Sequence, residues 1–319
     1  MGLFVLLFGL ILCCVGHASA GDDLRVGFYT ESCPKAEFVA REALRMLLVE
    51  DPTAAAALLR LSFHDCDVKG CDASILLDST YAFRSELESN KNFGIRRTEF
   101  IDHIKHVLEI LCPQTVSCAD VVALAARDAI HLSGGPDIQI PTGRRDSLTA
   151  YFDEADANLR PATASVDSVL QDFSPKGFSM QEAVALLGSH TLGVGHCLSI
   201  SDRLHPQTDP SMEPFFAAVL KVLCPNYFMN SSNIIVIPND ATSLLFDNRY
   251  FIDAKAGLGL FRVDSNFALD PRTAGFVEEF AQDKEAFFEI FSGAFVKLTK
   301  LNVLTGDMGQ VRKNCHTVN

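Results

Sequence analysis

An arginine and a histidine near the front of the sequence have a spacing suited to moving a proton. Arg60 and His64 are four residues apart, so on a helix their side chains lie on one face, with Phe63 as a neighbouring apolar wall. A fixed cation beside a titratable imidazole can stabilise negative charge while a proton is accepted and returned. We therefore interpret this pair as a candidate acid–base site.

An oxygen-rich segment follows directly. Asp65, Asp72 and Ser74 carry side-chain oxygens, and Gly70 allows a tight turn between them. Carboxylates, hydroxyls and backbone carbonyls are the ligands of hard cations such as calcium. This pattern predicts a cation-binding loop that two cysteines close.

A second histidine, His190, is predicted at the end of a short helix. Two helix-borne histidines far apart in sequence could face each other across a cofactor, one binding iron and the other handling protons. Asp264 is available to accept a hydrogen bond from an imidazole N–H. A second set of oxygen ligands lies between them: Asn239, Thr242, the Leu245 carbonyl and Asp247. The residues alone thus indicate a haem site.

The first twenty residues are typical of a signal peptide, with an apolar run from Leu3 to Val15 followed by Ala18-Ser19-Ala20. The run is too short to span a membrane. We expect a secreted mature chain of residues 21–319, located outside the cell or in the cell wall. Removing Cys13 and Cys14 from the ten cysteines leaves eight, which predicts four disulfides but leaves their connectivity open.

Charge and composition restrict the partners of the chain. The net charge of −13 argues against nucleic acid and anionic membranes as partners. Asn230-Ser231-Ser232 is an acceptor for N-glycosylation.

The elements that must position these side chains are predicted to be helices, since few segments alternate in polarity. Ser117 and Ser179 have the spacing of N-terminal capping residues. No repeat or composition shift marks a linker, so we expect one mainly α domain. The predicted helices span residues 36–48, 53–63, 100–111, 121–131, 163–173, 183–187, 212–223 and 272–298.

Six separated motifs, in this order along the chain, resemble those of the plant secretory (class III) haem peroxidases. They are Arg60-Leu61-Ser62-Phe63-His64-Asp65-Cys66, Gly70-Cys71-Asp72-Ala73-Ser74, Val116-Ser117-Cys118-Ala119-Asp120, Gly143-Arg144-Arg145-Asp146-Ser147, Leu187-Gly188-Ser189-His190-Thr191-Leu192-Gly193 and Phe246-Asp247-Asn248. The resemblance covers essentially the whole mature chain. It implies a two-lobed, mainly α haem peroxidase fold with haem b between the lobes and two calcium ions.

The resemblance also implies a role for individual residues. Arg60 and His64 would be the catalytic pair on the distal side of the haem, with Phe63 beside them. His190 would be the axial iron ligand, supported by Asp264. The distal calcium ligands would be Asp65, Val68, Gly70, Asp72 and Ser74, and the proximal ones Thr191, Asn239, Thr242, Leu245 and Asp247. The disulfides would be Cys33–Cys112, Cys66–Cys71, Cys118–Cys315 and Cys197–Cys224.

The activity implied is reduction of hydrogen peroxide and oxidation of small phenolic donors in two one-electron steps, by a monomer. Neutral His64 would take a proton from peroxide and deliver it to the outer oxygen, while Arg60 stabilises the developing charge. Two alternatives remain. One is a catalytically weak relative that acts as a cell-wall binding or redox-sensing protein. The other is a calcium- or zinc-dependent hydrolase, against which the absence of an H-E-x-x-H motif counts.

Several residues depart from the family pattern. Ser62 and Asp67 stand where relatives commonly have His and Phe. If Asp67 lies near the distal pocket or the distal calcium, its charge would favour protonated His64, and we hypothesise that the acidic side of the pH optimum is shifted upward. Asn239 replaces the usual Asp, which predicts a weaker proximal calcium site because one negative charge is lost.

Another departure concerns substrate recognition. In Asn158-Leu159-Arg160-Pro161, an arginine replaces the first proline of a family segment, and Arg160 could pair with a carboxylate on the donor. A solvated surface arginine is the alternative. Asn90 and Asn92 are both candidates for the residue that holds His64.

Overall fold

The computed structural model describes residues 24–225 and 235–319 and is mainly helical, as predicted. The predicted signal peptide and Asn230 lie outside these residues. The α-helices in chain order are α1 Ala36–Glu50, α2 Ala54–Val68, α3 Thr98–Leu111, α4 Cys118–Leu132, α5 Phe152–Asn158, α6 Val166–Phe173, α7 Met180–Leu187, α8 Ser201–Leu204, α9 Pro214–Leu223, α10 Arg249–Lys255, α11 Arg262–Leu269, α12 Ala274–Gln282 and α13 Lys284–Leu298. Two short strands, β1 Val194–His196 and β2 Val236–Pro238, pair antiparallel.

The first lobe is built around α4, which is buried from Cys118 to Ile130. Ser117 caps this helix as predicted, because its side chain accepts a hydrogen bond from the Asp120 amide at 3.1 Å. Helices α1 and α2 pack against α4 through small and aliphatic side chains. Helix α2 continues to Val68 rather than ending near residue 63, so His64 lies well inside a regular helix.

The second lobe has an aromatic core at the end of α7, where His190 follows. The rings of Phe246, Phe251 and Phe287 lie within 6 Å of one another in neighbouring pairs and are almost completely buried. The predicted single helix over residues 272–298 is wrong. It is broken at Asp283, whose carboxylate accepts a hydrogen bond from the Ala286 amide at 3.0 Å and starts a new helix.

Four disulfides join the eight cysteines in the pairing that the resemblance implies. They are Cys33–Cys112, Cys66–Cys71, Cys118–Cys315 and Cys197–Cys224. The third of these bridges residues that are 197 positions apart. In the chain-entropy description, closing so long a loop stabilises the folded state by about 5 kcal/mol.

The two lobes meet along the segment that follows His190. Gly193 has a φ of +96°, and a Cβ at this position would lie 2.7 Å from the Cβ of Ala56 in α2. A side chain there would force the lobes apart. Within the described ranges, no helix has both the length and the apolar character needed to cross a bilayer.

Candidate functional site

The predicted catalytic pair lies on α2 and is held by the loop at residues 91–94. The Nη1 of Arg60 donates to the Phe93 carbonyl at 2.9 Å, and Nη2 lies 3.4 Å from the Lys91 carbonyl. The Nδ1 of His64 lies 2.7 Å from Oδ1 of Asn92. Of the two asparagines considered, it is therefore Asn92 that holds the imidazole.

The orientation of Asn92 determines which nitrogen of His64 carries the proton. Its amide Nδ2 donates to the Glu86 carbonyl at 2.7 Å, so its Oδ1 faces the imidazole and must accept. His64 consequently carries its proton on Nδ1 and presents an unprotonated Nε2. Burial, followed by the nearby Arg60 cation, lowers the pKa of His64 to about 3, which keeps the imidazole neutral. Burial also lowers the pKa of Arg60 to about 10.

The second histidine is held in the same way. The Nδ1 of His190 donates to Oδ1 of Asp264 at 2.9 Å. Asp264 is buried and also accepts from the Tyr250 hydroxyl at 3.1 Å and from the Phe261 amide at 3.2 Å. In the part of the chain that the structure describes, Nε2 of His190 has no hydrogen-bond partner. A lone pair fixed in direction by a buried carboxylate is what a metal-binding imidazole requires.

The segments that carry the two imidazoles come into contact beside them. Gly193, three residues beyond His190, contacts α2, and the ring of His196 lies 5.1 Å from that of Phe93 in the loop that holds Arg60. The side chain of His190 is 35% exposed although its carboxylate partner is buried. The donor set fits a haem iron on the His190 side and a proton-transfer site on the His64 side.

The predicted cation loop contains buried oxygens that lack partners. Oδ2 of Asp65 accepts from the Ala73 amide at 3.0 Å, whereas, among the described residues, its Oδ1 and the hydroxyl of Ser74 have no partner in normal hydrogen-bond geometry. The Asp72 carboxylate accepts from the Ser74 amide at 3.0 Å. Burial, followed by Asp72 and by Glu86, raises the pKa of Asp65. Val68 ends α2 and Gly70 lies in the turn after it, so their carbonyls border the same loop.

Glu86 lies close enough to this loop to act on the pKa of Asp65, although it was not a candidate from the sequence. It is fully buried and its Oε1 accepts from the Tyr151 amide at 3.0 Å, while its Oε2 has no hydrogen-bond partner within the described ranges. Burial raises its pKa to about 7. Since its backbone carbonyl holds Asn92, Glu86 connects the cation loop to His64. It lies in a polar loop without periodicity, and no sequence signal distinguishes it.

The second oxygen cluster contains Asp240, which the sequence analysis did not assign. The hydroxyl of Thr191 donates to Asp240 at 2.7 Å and to Asp247 at 3.2 Å. Asp240 also accepts from the Thr242 amide at 2.8 Å, and burial raises its pKa to about 6. Asn239 donates from Nδ2 to the Leu192 carbonyl at 3.0 Å, and its buried Oδ1 has no partner in residues 24–225 and 235–319.

Asp240 thus places a carboxylate in this cluster beside Asn239, which carries no charge. Leu245 closes the loop, with its amide donating to the Thr242 carbonyl at 2.6 Å. Over residues 24–225 and 235–319, no three His, Cys, Asp or Glu side chains converge on one point as a preformed metal centre.

The effect of Asp67 on the pH dependence of the reaction stays a prediction, but its charge is balanced locally. The Asp67 carboxylate pairs with the ammonium group of Lys176, which also lies 3.0 Å from Asp172. The charge of Asp67 is therefore compensated, and the pKa of His64 is lowered. Ser62 is buried and its hydroxyl has no hydrogen-bond partner in the described chain.

Arg160 and Pro161 lie at the surface just after α5. The side chain of Arg160 is 41% exposed, and its Nη2 lies 3.4 Å from Oδ1 of Asp172. Leu159, the residue before it, packs with Val68 at the end of α2. The exposed Arg160 therefore follows a residue that packs against the end of α2, the helix that carries His64.

Comparison with known proteins shows similarity along nearly the whole chain. A sequence model of the peroxidase family matches residues 40–283. The chain is 46% identical to Peroxidase 29 of Arabidopsis thaliana over 99% of its own length and 95% of the relative. It is 43% identical to Peroxidase 12 of the same plant, over 92% of this chain and 82% of the relative. It is 40% identical to Peroxidase 5 of Vitis vinifera, over 93% and 92%.

Proposed function

The chain belongs to the plant class III peroxidase family, and on that premise we propose how its own residues carry out the reaction. The protein is a peroxidase, an enzyme that reduces hydrogen peroxide while it oxidises donor molecules. A non-catalytic relative is not favoured, because Arg60, His64, His190 and Asp264 are all present and mutually oriented. The sequence likewise offers no support for a hydrolase.

One observation carries the proposal for the site. Both imidazoles are fixed through Nδ1, His64 by Asn92 and His190 by Asp264, so that Nε2 of each is free for chemistry. An amide oxygen leaves the His64 ring neutral, whereas a carboxylate makes the His190 ring a stronger electron donor. The two rings are therefore suited to different tasks. His64 is the base and His190 is the iron ligand.

The distal residues move the proton. Nε2 of His64 accepts a proton from hydrogen peroxide and returns it to the outer oxygen, which departs as water. Arg60 stabilises the negative charge that develops as the O–O bond lengthens. Phe63 provides an apolar wall beside the pair. Because the pKa of His64 is lowered to about 3, the imidazole is unprotonated at Nε2 over most of the pH range.

The proximal residues hold the cofactor that the family implies. Haem, when bound through Nε2 of His190, would supply an iron that activates peroxide and would then accept electrons from the donors. Asp264 accepts the Nδ1 proton of His190 and makes the imidazole a stronger electron donor. Tyr250 and the Phe261 amide hold that carboxylate in place.

Two calcium ions account for the buried oxygens without partners. We assign the distal ion to the loop that contains Asp65, Val68, Gly70, Asp72 and Ser74. The proximal ion is assigned to Thr191, Thr242, Leu245 and Asp247, together with Asp240 and the oxygen of Asn239. A bound cation would neutralise carboxylates whose burial is otherwise unfavourable.

The assignment of Asp240 can be tested by metal analysis. Asp240→Asn removes a negative charge from the proximal set, so this variant is expected to lose one calcium ion to a chelator concentration that leaves the wild type loaded. Asn239→Ala serves as the matched neighbouring variant and is expected to lose less. Retention of this calcium ion by Asp240→Asn at that chelator concentration would contradict the assignment.

The enzyme acts outside the cell, as a monomer whose single haem peroxidase domain spans residues 21–319 after removal of the signal peptide. The donors are small phenols, with Arg160 and Pro161 at the surface that receives them. Support comes from the predicted leader, the four disulfides and the exposure of the Arg160 guanidinium. Nucleic acid and membranes are not expected as partners of a chain with a net charge of −13.

The decisive experiment uses purified protein with its cofactor. We expect a Soret band and turnover of guaiacol with hydrogen peroxide. His64→Leu should keep the band and lower the rate of the reaction with peroxide by about 10²- to 10⁴-fold, the usual contribution of a positioned base. His103→Leu, at an exposed histidine of α3, is the control and should change neither. A Soret band without turnover in the wild type would refute the proposed activity.

A further inference from the structure

The orientation of Arg60 depends on backbone groups rather than on a carboxylate. Its recorded hydrogen-bond partners are the carbonyl oxygens of Phe93, at 2.9 Å, and of Lys91, at 3.4 Å. A guanidinium held by carbonyls follows any movement of the loop that carries them. The position of the charge that acts on peroxide is therefore set by residues 91–94.

The same loop holds the base. Asn92 lies between the residues whose carbonyls hold Arg60, and its side chain holds Nδ1 of His64 at 2.7 Å. On one side this loop is fixed by the hydrogen bond from Asn92 to the Glu86 carbonyl at 2.7 Å. Its other side, at Phe93 and Gly94, is exposed.

His196 provides the contact on that side. The centre of its ring lies 5.1 Å from that of Phe93, with the planes tilted by 60°. Gly94 has a φ of +81°, and a Cβ built on it would lie 3.3 Å from Nε2 of His196 and 3.4 Å from Nη1 of Arg60. The imidazole and the guanidinium therefore both border the space that a side chain at Gly94 would occupy.

His196 also comes from the other lobe. It is the last residue of β1, six positions after His190, and β1 is held by its pairing with β2. The chain continues at once into Cys197, which is bridged to Cys224. His196 thus brings a rigid part of the proximal lobe into contact with the loop that orients both distal residues.

We infer that His196 is a positioning residue for the reaction with peroxide: its ring packs against Phe93 and Gly94 and so fixes the carbonyl that orients Arg60. The inference rests on the proposed function, in which Arg60 stabilises charge on peroxide. His196 acts through packing and does not contact the substrate.

The test separates the two halves of the reaction in the holoenzyme. His196→Ala removes the ring and is expected to lower the bimolecular rate with hydrogen peroxide by about tenfold or more, the effect of misplacing a reacting group by a fraction of an ångström. The rate at which guaiacol is oxidised in the second half should change less than about twofold. His196→Phe retains a ring against Phe93 and should recover most of the peroxide rate.

Amide hydrogen exchange reports the packing independently of activity. The amides of Phe93 and Ile95 bond within the loop, to the carbonyls of Asn90 and Asn92, and should exchange faster in His196→Ala but not in His196→Phe. His205→Ala is the matched control, since this half-buried histidine bonds the Cys224 carbonyl away from the loop. It should alter neither measurement.

An unchanged peroxide rate in His196→Ala would overturn the inference. So would a His196→Phe enzyme as slow as His196→Ala, because that result would require the ring nitrogens instead of the packing. If the wild type itself fails to react with peroxide, the proposed function fails. The exchange of the Phe93 and Ile95 amides then still decides whether His196 fixes the loop.

Discussion

The two histidines show how a single choice of hydrogen-bond acceptor separates a base from a ligand. An amide oxygen can accept the Nδ1 proton of His64 without adding charge, which leaves that ring neutral and basic at Nε2. The Asp264 carboxylate does the same for His190 but adds a negative charge beside it. Exchanging these acceptors would exchange the electronic character of the rings while their positions remained the same.

Another individual residue, Arg160, is predicted to select donors by their charge. One face of its guanidinium is paired with Asp172 at 3.4 Å, and the rest is exposed. Arg160→Leu should raise the KM for a carboxylated phenol about two- to fivefold, as expected for an exposed ion pair, and leave that for the corresponding alcohol unchanged. Steady-state kinetics with the two donors, repeated at high salt, measures the effect.

The control for this prediction is Arg45→Leu. Arg45 is 51% exposed on α1 and, like Arg160, is paired with one carboxylate, that of Glu42 at 2.7 Å. It should leave both KM values unchanged. In the opposite direction, Asp172→Asn removes the internal competitor and should lower the KM for the acid. Equal changes for acid and alcohol would show that Arg160 is only a surface arginine.

At the scale of elements, α7 and the aromatic core together determine where His190 lies. Gly188, the first residue after α7, has no room for a side chain, because a Cβ would lie 2.6 Å from the ring of Phe287 and 2.7 Å from that of Phe251. The close approach presses the end of the helix onto the rings. Because His190 follows two residues later, the packing of Gly188 against these rings determines where His190 lies.

Gly188→Ala is therefore expected to displace the iron ligand. The added methyl group overpacks the aromatic core, and we expect a loss of about 1–3 kcal/mol in the free energy of unfolding, together with a shifted Soret band. Thermal and denaturant unfolding measure the loss. The control is Gly275→Ala in α12, where a Cβ meets nothing within 4 Å. There the substitution should be neutral or stabilising by about 0.5–1 kcal/mol.

The elements also show what could be read from the sequence. Helices with a clear apolar face and a serine cap, such as α4 and α7, were predicted because capping and periodicity are local properties. The break at Asp283 was missed because a capping residue inside a long apolar pattern is hidden by that pattern. Glu86 and Asp240 were missed for another reason. Their roles depend on burial against residues that are distant in sequence. The sequences of their own loops do not indicate that burial.

At the scale of the whole molecule, His316 attaches the C-terminal segment to the first lobe. Its Nε2 lies 2.9 Å from Asp102 of α3 and its Nδ1 lies 3.3 Å from Asp78. The hydrogen bond with Asp102 raises the pKa of His316 above its ordinary value, although burial opposes this. The protonated ring can donate to both carboxylates, whereas the neutral ring can donate to only one.

This contact predicts a pH dependence of stability with a definite sign. Because the folded pKa is raised, the contribution of His316 is complete below about pH 6.5, the ordinary value, and is lost as the pH rises through the folded pKa. It should amount to less than about 1 kcal/mol, since solvent screens these partly exposed charges.

Thermal unfolding of wild type and His316→Ala, measured at about pH 5 and about pH 9, gives the difference directly. The two proteins should differ more in acid than in base. His103→Ala, at an exposed histidine on the same helix as Asp102, is the control and should show no such dependence. A difference that is the same at both pH values would contradict the assignment.

The bridge between Cys118 and Cys315 imposes an order in time on the synthesis of this chain. Cys118 begins α4, the most deeply buried helix of the first lobe, and its partner follows 197 residues later. At about 5–20 residues per second, the ribosome needs about 10–40 s to supply that partner. During this interval Cys33, Cys66, Cys71 and Cys112 have already emerged. Early packing of α4, before its bridge can form, would therefore protect the unpaired Cys118 thiol from joining one of these four.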